Sequence, residues 1–355
     1  MAGRLPLRFA ATIVFFFSFL LFISGWILQQ KSLTALQAAM IQPVPSPHVA
    51  ASSKHKPKPP FQLIDQTNNI PVLRSKKNLK AAHFQFVQKK ENVCHSLMVL
   101  AELARLGTGA DKILLYPESW IGTEEGTWSR LLKAAEKRFE VKVRAVGGLG
   151  GGALGDAGPS LLHAFAETKY DRILYLEPLG LPLRNLDHLL YGTLTAPVVG
   201  TRSYWLPKMV QQLGPLSGQV LLLTPSTRLF NKTKKLQLEN PEDDSISIIN
   251  DLLSSHSLIL PQHPYATNIF EFRAVDHSKY TLNDWDPVKV SEESYYISFM
   301  DQSAPMPWFT WPREVTDKVR PKVPDDAMVW KALYDRWARV RMNVCGLDLE
   351  YLRQN

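Results

Sequence analysis

Short apolar segments alternate with amphipathic segments between His83 and Leu176, and this alternation constrains the fold more than any other feature. The apolar segments have the length of buried strands, and the segments between them carry apolar residues at helical spacing. Strands that alternate with helices in this way indicate βαβ units, a parallel sheet and right-handed connections. The predicted strands are 83–87, 112–116, 141–146 and 172–176, and the predicted helices are 92–107, 127–139 and 159–168.

The pattern continues beyond Leu176 and predicts an α/β fold for most of the chain. Further strands are predicted at 196–204, 219–224 and 295–299, and helices at 245–253 and 327–344.

Glu177 follows the predicted strand Arg172–Leu176 directly. Ligands of α/β sheets bind at the carboxyl ends of the strands. A carboxylate at this position could hold a metal ion or a metal-bound phosphate. Its neighbours Pro178 and Leu179 have no side-chain groups that could bind a ligand. The location in the fold therefore fits a ligand site, whereas the chemistry of these two neighbours does not.

The residues Phe9–Leu28 form an apolar run of 20 residues without a charge. A helix of that length spans about 30 Å, the hydrocarbon thickness of a bilayer. The run is longer than the apolar region of a secretory signal, so a membrane anchor is favoured over a cleaved signal peptide. Arg4 and Arg8 precede the run, and the positive-inside rule then predicts a cytosolic N-terminus and a luminal chain, a type II orientation.

The remaining divisions follow from composition. Proline is frequent in residues 42–60, which is typical of an extended, semi-rigid stem. The predicted organisation is a cytosolic tail at 1–8, a transmembrane helix at 9–28, a stem at 29–79, an α/β domain at 80–311, and a proline-rich segment with a packed amphipathic helix at 312–355.

Charge and cysteine content exclude two classes of function. The net charge is +8, but the lysines lie in short scattered clusters without interleaved aromatic residues, so nucleic-acid binding is not predicted. The two cysteines, Cys94 and Cys345, form no Cys-x-x-Cys motif, which argues against a zinc site. Cys94 lies on an apolar helix face as a core residue would, and a disulfide with Cys345 stays open at this point.

Two further short motifs occur in the chain. The segment Gly147–Gly155 formally contains the dinucleotide-binding pattern G-x-G-x-x-A, but its many glycines disfavour the required helix, and a loop is favoured. Asn231 begins an Asn-Lys-Thr sequon for N-glycosylation, which a luminal domain could use.

Several segments of the chain resemble the glycogenin-like glycosyltransferases of family 8, in particular the fungal branch that includes Golgi N-acetylglucosaminyltransferases. The resemblance extends from about His83 to Trp308 and implies a GT-A fold, a Rossmann-like domain that binds nucleotide sugars, uses Mn²⁺ and transfers the sugar with retention. The segments that carry it are 164–176, 183–189, 202–207, 260–265 with 271–273, 296–301 and 305–308.

Residues that carry charge in that family are replaced in this chain. The family's Asp-x-Asp pair falls on Glu177-Pro178-Leu179, and a metal-binding histidine falls on Ser298. Removing one group that stabilises a developing negative charge costs roughly 10²–10³ in rate. Other charged positions of the family fall on Leu161, Ser245 and Met306, with Asp243 and Asp244 close to the second of these.

The resemblance assigns candidate residues for binding the nucleotide sugar and its metal ion. The nucleotide-sugar candidates are Glu177, Gly180, Arg184, Asp187 and Arg202, and the metal candidates are Glu177 and Asp301. Mn²⁺ is expected by resemblance, although Leu179 and Ser298 stand where ligands are expected. Arg184 or Arg202 could neutralise the leaving diphosphate in place of a metal ion, or could simply form surface salt bridges.

The predicted function is that of a single-pass Golgi membrane protein that transfers a sugar from a nucleotide sugar to a glycan or glycoprotein acceptor, with UDP-N-acetylglucosamine and UDP-glucose as donor candidates. Complexes with other glycosyltransferases are compatible with this function. The first alternative is a pseudo-glycosyltransferase that binds glycans or a partner enzyme. A more distant alternative is a nucleotide-dependent oxidoreductase that uses the Gly147–Gly155 loop.

Overall fold

The computed structural model describes residues 79–150, 158–192, 196–206, 214–281, 284–301, 303–304, 306–310, 313–346 and 352–353. They belong to one compact unit, Phe61–Asn355. The predicted anchor Phe9–Leu28 and most of the predicted stem lie outside the described residues, as do residues 151–157 of the glycine-rich segment. Within the described part of the chain, no helix is long and apolar enough to cross a membrane.

Strands and helices alternate through the first part of the domain, as the sequence predicts. The strands are β1 (Ala81–Phe86), β2 (Asp111–Pro117), β3 (Val141–Val146), β4 (Arg172–Leu176), β5 (Gly180–Pro182), β6 (Val198–Arg202), β7 (Leu216–Leu223), β8 (Ser257–Ile259), β9 (Thr267–Asn268), β10 (Tyr296–Ser298), β11 (Phe309–Thr310) and β12 (Leu352–Arg353). The helices are α1 (Val93–Arg105), α2 (Thr127–Phe139), α3 (Asp187–Tyr191), α4 (Thr227–Glu239), α5 (Ser245–Leu253), α6 (Pro287–Glu293), α7 (Arg313–Val319) and α8 (Pro324–Cys345), and Gln262–Tyr265 forms a short helical turn.

The central sheet has seven strands in the order β3-β2-β1-β4-β7-β6-β8. β7 runs antiparallel to β4 and to β6, and the other neighbouring pairs are parallel. The predicted parallel sheet is therefore correct except at β7. This strand lies beside β6, which precedes it in the chain, and consecutive neighbouring strands pair antiparallel in the manner of a hairpin.

Each face of the sheet packs against its own apolar cluster. Along β7, Val220 and Leu222 belong to one cluster, whereas Leu221 and Leu223 belong to the other. This follows from the two-residue period of a strand, which sends successive side chains to opposite faces. Helices α1, α2 and α8 cover the first face, and α5 with the segment Leu161–Ala166 covers the second. The result is a three-layer α/β domain.

The predicted helix at 159–168 is instead a short 3-10 helix, Leu161–Ala166. The ring of His163 accepts a hydrogen bond from the backbone N–H of Ser160 at 3.0 Å, which closes the first turn tightly. All but the last residue of this segment are buried. The segment therefore owes its structure to packing under the sheet rather than to helical propensity.

A second, three-stranded sheet has the order β5-β10-β9 and follows the end of β4 closely. β5 pairs antiparallel with β10, so that Gly180 lies opposite Ser298. This small sheet brings β10, which is distant in sequence, next to Glu177.

A disulfide bond joins Cys94 in α1 to Cys345 at the end of α8. The sequence leaves this pairing open, and the structure forms it between two buried residues. It fixes the C-terminal helix to the first helix of the domain.

Candidate functional site

A cavity of about 400 Å³ lies at the carboxyl edge of the central sheet, next to the ends of β1 and β4. The strands that follow β1 lie on one side of this pair in the sheet, and the strands that follow β4 lie on the other side. In α/β sheets this switch in strand order is the usual place for a ligand. Glu177, Asp243 and Asp244 line the cavity, and no lysine, arginine or histidine lines it among the described residues. We call it the acidic cavity. The end of β1, the end of β4 and the described part of the glycine-rich segment form its walls.

Glu177 is held from three directions. Its backbone N–H donates to the carbonyl of Gln219 at 3.0 Å, and its own carbonyl accepts from the hydroxyl of Tyr296 at 2.7 Å. The Oγ of Ser298 donates to the carboxylate at 3.1 Å. Burial raises the pKa of Glu177, and the hydrogen bond from Ser298 opposes this effect only in part. The carboxyl group is therefore fixed in place and suited to exchange a proton closer to neutral pH than an ordinary glutamate.

A second cavity of about 620 Å³ adjoins the first and shares Glu177 and Gly218 with it. Trp205 and Phe270 give it an aromatic wall, and Arg273 also lines it. We call it the aromatic cavity. Glu177 thus stands at the junction of two cavities, one acidic and one aromatic.

Two of the predicted nucleotide-sugar residues lie elsewhere in the domain. Asp187 lies at the amino edge of the sheet, at the opposite end from Glu177. Its carboxylate accepts from the hydroxyl of Thr108 at 2.6 Å and from the backbone N–H of Gly109 at 2.8 Å. Arg184 is exposed, donates to the carbonyl of Glu293 at 3.2 Å and lies 5.0 Å above the ring of Tyr295. Neither side chain can act together with Glu177.

The other two predicted residues stabilise the protein backbone. A Cβ atom at Gly180 would lie 2.1 Å from the Tyr296 hydroxyl and 2.2 Å from the carbonyl of Ile297, so glycine is required for the close approach of β5 and β10. The guanidinium of Arg202 donates to the carbonyl of Gly214. It lies at the end of β6, and neither cavity includes it among its described lining residues.

The residues expected to hold Mn²⁺ do not form a metal site in the described part of the chain. Asp301 lines the aromatic cavity, but Arg273 donates to one of its oxygens at 2.5 Å and Ser303 donates to the other at 2.7 Å. The side chain of Leu179 packs against the apolar core. No group of three or more His, Cys, Asp or Glu residues is placed to hold a metal among the described residues. The donor set therefore does not fit the resident metal ion that the resemblance implies.

Sequence reasoning did not identify most of the aromatic cavity. Gln219 and Asn268 line it, and both are almost fully buried. They lie on β7 and β9, in two different sheets, and nothing in their local sequence marks them as neighbours. Trp205, Arg273 and Asp301 lie within the segments 202–207, 271–273 and 296–301 that carry part of the resemblance, and this was the available signal.

The chain is similar to two curated fungal proteins that are both named Glucose N-acetyltransferase 1. The protein from Aspergillus fumigatus is 28% identical over 298 residues, which cover 74% of this chain and 76% of that protein. The protein from Gibberella zeae is 28% identical over 285 residues, which cover 74% of this chain and 62% of that protein. These relatives confirm the predicted relationship to sugar-directed transferases, whereas membership of family 8 stays a prediction.

Among solved structures, the chain is similar to the glycosyltransferase GlyE of Streptococcus pneumoniae TIGR4, with a TM-score of 0.46 and 16% identity over 75% of this chain and 64% of that one. It is also similar to a bifunctional glycosyltransferase titled WbbM, with a TM-score of 0.48 and 11% identity over 74% of this chain and 52% of that one. No family model matches the chain.

Proposed function

We propose that the protein is a glycosyltransferase that transfers a sugar from a UDP-sugar to a hydroxyl group of a glycan or glycoprotein acceptor. UDP-N-acetylglucosamine and UDP-glucose are the donor candidates. The observation that carries this proposal is the position of Glu177, which a strand end places at the junction of two cavities. The two curated relatives support a transferase of this kind.

In this proposal the donor occupies the acidic cavity at the strand switch, and the acceptor occupies the aromatic cavity. The bond between the anomeric carbon and the diphosphate oxygen breaks, and a bond from that carbon to the acceptor oxygen forms. The acceptor hydroxyl loses its proton in this step. Glu177 is the group that both cavities share, and its raised pKa suits the role of the base that takes up this proton.

The aromatic cavity has the composition expected of a carbohydrate site. The ring of Trp205 is partly exposed at the cavity and can pack against the apolar face of a pyranose ring. Polar groups of Asn268, Gln219 and Arg273 line the same space and can bind sugar oxygens. A few polar groups set among aromatic side chains are typical of small-molecule sites.

A second candidate function is a non-catalytic one, in which the domain binds a glycan or a partner enzyme. The charge of the acidic cavity favours it, because three acidic residues line this cavity, no lysine, arginine or histidine does so among the described residues, and carboxylates repel a diphosphate. For the proposed transferase, this negative charge must be balanced by a cation that binds together with the donor, because no described residue that lines the acidic cavity is cationic.

A titration of the full chain with UDP, UDP-N-acetylglucosamine and UDP-glucose, with and without Mn²⁺, separates the two functions. The proposed transferase binds at least one UDP-sugar and releases UDP from it. The Glu177→Gln variant should bind the same donor but release UDP much more slowly. Absence of binding to any sugar nucleotide, with or without Mn²⁺, would overturn the enzyme proposal and support the non-catalytic one.

We also propose that the domain lies in the Golgi lumen behind the anchor Phe9–Leu28, in a type II orientation. The apolar run and the arginines before it support this placement, as does the disulfide between Cys94 and Cys345, because disulfides persist in oxidising compartments. Protease protection of the domain in intact microsomes is the expected result. Digestion of the domain without detergent would contradict the orientation.

A further inference from the structure

A series of linked hydrogen bonds, one buried and three partly buried, leads away from the wall of the aromatic cavity. The side-chain amide of Gln262 donates to the side-chain oxygen Oε1 of Gln219 at 3.1 Å. The side-chain amide of Gln219 donates in turn to Asn268 Oδ1. The amide of Asn268 donates to the hydroxyl of Tyr204 at 2.9 Å, and that hydroxyl donates to Glu271 Oε1 at 2.5 Å. Every donor in this series points the same way, toward the carboxylate.

The direction of the series follows from Glu271. The hydroxyl of Tyr204 donates to the carboxylate of Glu271, which in its ionised form can only accept hydrogen bonds. The hydroxyl oxygen is then free to accept, which requires the NH₂ end of Asn268 to face Tyr204. The carbonyl end of Asn268 must consequently face the NH₂ end of Gln219. One carboxylate thus sets the orientation of two amides that could otherwise be turned around.

Glu271 is itself held in place on its far side. The ring of His277 lies 3.3 Å from the second carboxylate oxygen and stacks on the ring of Trp285 at a centroid distance of 3.8 Å. The indole N–H of Trp285 donates to Asp326 in α8 at 2.8 Å. Burial raises the pKa of Glu271, and the hydrogen bonds from Tyr204 and His277 oppose this effect. The carboxylate is therefore supported by side chains that reach the C-terminal helix.

This orientation decides what the aromatic cavity presents to a ligand. A side-chain amide carries two N–H donors, and Asn268 and Gln219 each use one of them in the series of hydrogen bonds that ends at Glu271. No second acceptor for either nitrogen is found within the described residues. Both residues line the aromatic cavity, so their remaining N–H groups can be satisfied by a ligand there.

We propose that Tyr204 and Glu271 are positioning residues for the aromatic cavity. They hold the amides of Asn268 and Gln219 so that the cavity offers N–H donors, which select a neutral carbohydrate through its hydroxyl and ether oxygens. The identity of this ligand as the acceptor rests on the proposed function. The orientation of the amides does not depend on it.

The full chain, labelled with ¹⁵N in asparagine and glutamine side chains, allows a direct test by nuclear magnetic resonance. In Tyr204→Phe the amide of Asn268 loses its acceptor, and the effect should pass along the series of hydrogen bonds. We expect the side-chain amide signals of both Asn268 and Gln219 to shift, and their hydrogen exchange to become up to about tenfold faster, the change that loss of one hydrogen bond produces. The signals are assigned from their loss in Asn268→Ala and Gln219→Ala.

Two further variants separate positioning from general disruption. Glu271→Gln keeps a carbonyl oxygen that can accept from Tyr204, so it should leave the signals of Asn268 and Gln219 closer to wild type than Tyr204→Phe does. Tyr191→Phe removes a hydroxyl from an exposed tyrosine outside both cavities and should change neither signal. A Tyr204→Phe spectrum in which Gln219 is unchanged would overturn the coupling.

The ligand class is tested with cellobiose, lactose and maltose, which are neutral disaccharides rich in hydroxyl and ether oxygens. At millimolar concentration at least one of them should shift the amide signals of Asn268 and Gln219 in the wild-type chain, and the shifts should weaken in Tyr204→Phe. Wild-type signals that none of the three sugars moves would overturn the proposed ligand class. If the wild-type protein shows the sugar-dependent shifts but binds no UDP-sugar, the proposed transferase function is overturned and the positioning role of Tyr204 and Glu271 still holds.

Discussion

At the residue scale, the most informative group is the carboxyl of Glu177. Its pKa is raised by burial, and ionisation is therefore less favourable in the folded chain than in the unfolded one. Folding stability consequently falls as the pH rises above the unfolded value of about 4.5, until it levels off above the raised folded value. The protein retains a buried acid that weakens the fold at neutral pH, which is common at functional sites.

Glu177→Gln should separate stability from activity. The amide cannot ionise, so we expect a higher free energy of unfolding than wild type at pH 7 and a smaller difference at pH 4. UDP release should fall by roughly 10²–10⁴, the usual contribution of a general base. Urea denaturation at the two pH values and a UDP-release assay measure both effects. Glu125→Gln, at an exposed glutamate outside both cavities, is the matched control. A Glu177→Gln variant with full activity would remove this residue from the reaction.

Asn231 permits a second prediction at this scale. It is exposed on α4, whereas Thr233 of the same sequon is fully buried and donates its hydroxyl to the carbonyl of Phe230 at 3.0 Å. An enzyme that recognises the sequon cannot reach this threonine once the helix has packed. We therefore expect glycosylation during synthesis only.

The measurement is translation in the presence of microsomes compared with incubation of the folded chain in the same microsomes after detergent. A glycosidase-sensitive mass increase should arise in the first case and not in the second. Thr233→Ser should keep the modification, and Asn231→Gln should abolish it. Modification of the folded chain would show that α4 opens readily.

At the element scale, the contact between β5 and β10 depends on Gly180. A methyl group at this position would overlap the Tyr296 hydroxyl and the carbonyl of Ile297, and both are part of the structure that holds Glu177 and Ser298 together. Overpacking of this kind typically costs 1–3 kcal/mol. Gly180→Ala should therefore destabilise the fold by about 2 kcal/mol and lower UDP-sugar binding, measured by denaturation and calorimetry. Gly107→Ala tests backbone strain without a clash, because nothing lies within 4 Å of its Cβ position. Equal effects of the two substitutions on donor binding would argue against the role of the β5–β10 contact.

Asp187 connects α3 to the loop that precedes β2. Burial alone would raise its pKa, but contacts with His83, Thr108 and the N–H of Gly109 outweigh this effect and lower the pKa from 3.8 to about 2. The ionised form is favoured by folding, so the contribution to stability is present above pH 4 and is lost as the pH falls toward 2. A shift of this size corresponds to roughly 2 kcal/mol.

Asp187→Asn should therefore lower the free energy of unfolding by about 2 kcal/mol at pH 7 and by progressively less as the pH falls below 4. Urea denaturation across this range measures the difference. Asp171→Asn, just before β4 and at the other end of that strand from Glu177, provides a comparison carboxylate that accepts a hydrogen bond from the backbone N–H of Lys80. A loss that is independent of pH would assign the effect of Asp187→Asn to packing rather than to charge.

The elements themselves were largely predictable. The first four strands and the helices α1 and α2 follow the alternation of apolar and amphipathic segments closely, because the sheet buries both faces and the helices bury one. Helix α4 was not predicted. Of its residues only Thr233 is buried, so its apolar pattern is weak, and its start is defined by the cap that Ser226 provides to the N–H of Leu229.

At the scale of the whole molecule, the site could be predicted only in part. The position of Glu177 follows from the end of one strand. Its contact with Ser298 joins residues that are 121 positions apart, and for Ser298 only the resemblance to a known family, rather than local sequence, indicated a role. Arg184 and Asp187 are close to Glu177 in sequence but not in the structure, because β5 leads the chain away from the carboxyl edge. Proximity along the chain was the wrong guide for these residues.

The disulfide between Cys94 and Cys345 acts at the same scale. Removing a native disulfide typically costs 2–5 kcal/mol. The double variant Cys94→Ala and Cys345→Ala should lose about that much stability in urea denaturation. Once the disulfide of the wild-type chain is reduced, the two proteins should have the same free energy of unfolding. A difference that persists after reduction would point to packing of the two side chains instead.

The same bond has a mechanical consequence. Cys94 lies near the start of the domain and Cys345 near its end, 251 residues apart in sequence. A pulling force applied to the two ends of the domain passes from one helix to the other through the sulfur atoms, and the chain between them carries no load. Roughly 850 Å of extensible length is thereby withheld. Single-molecule stretching should reveal this length only after a reductant is added, because under oxidising conditions the residues between Cys94 and Cys345, which include every strand of the central sheet except β1, lie inside a closed covalent loop that tension cannot open.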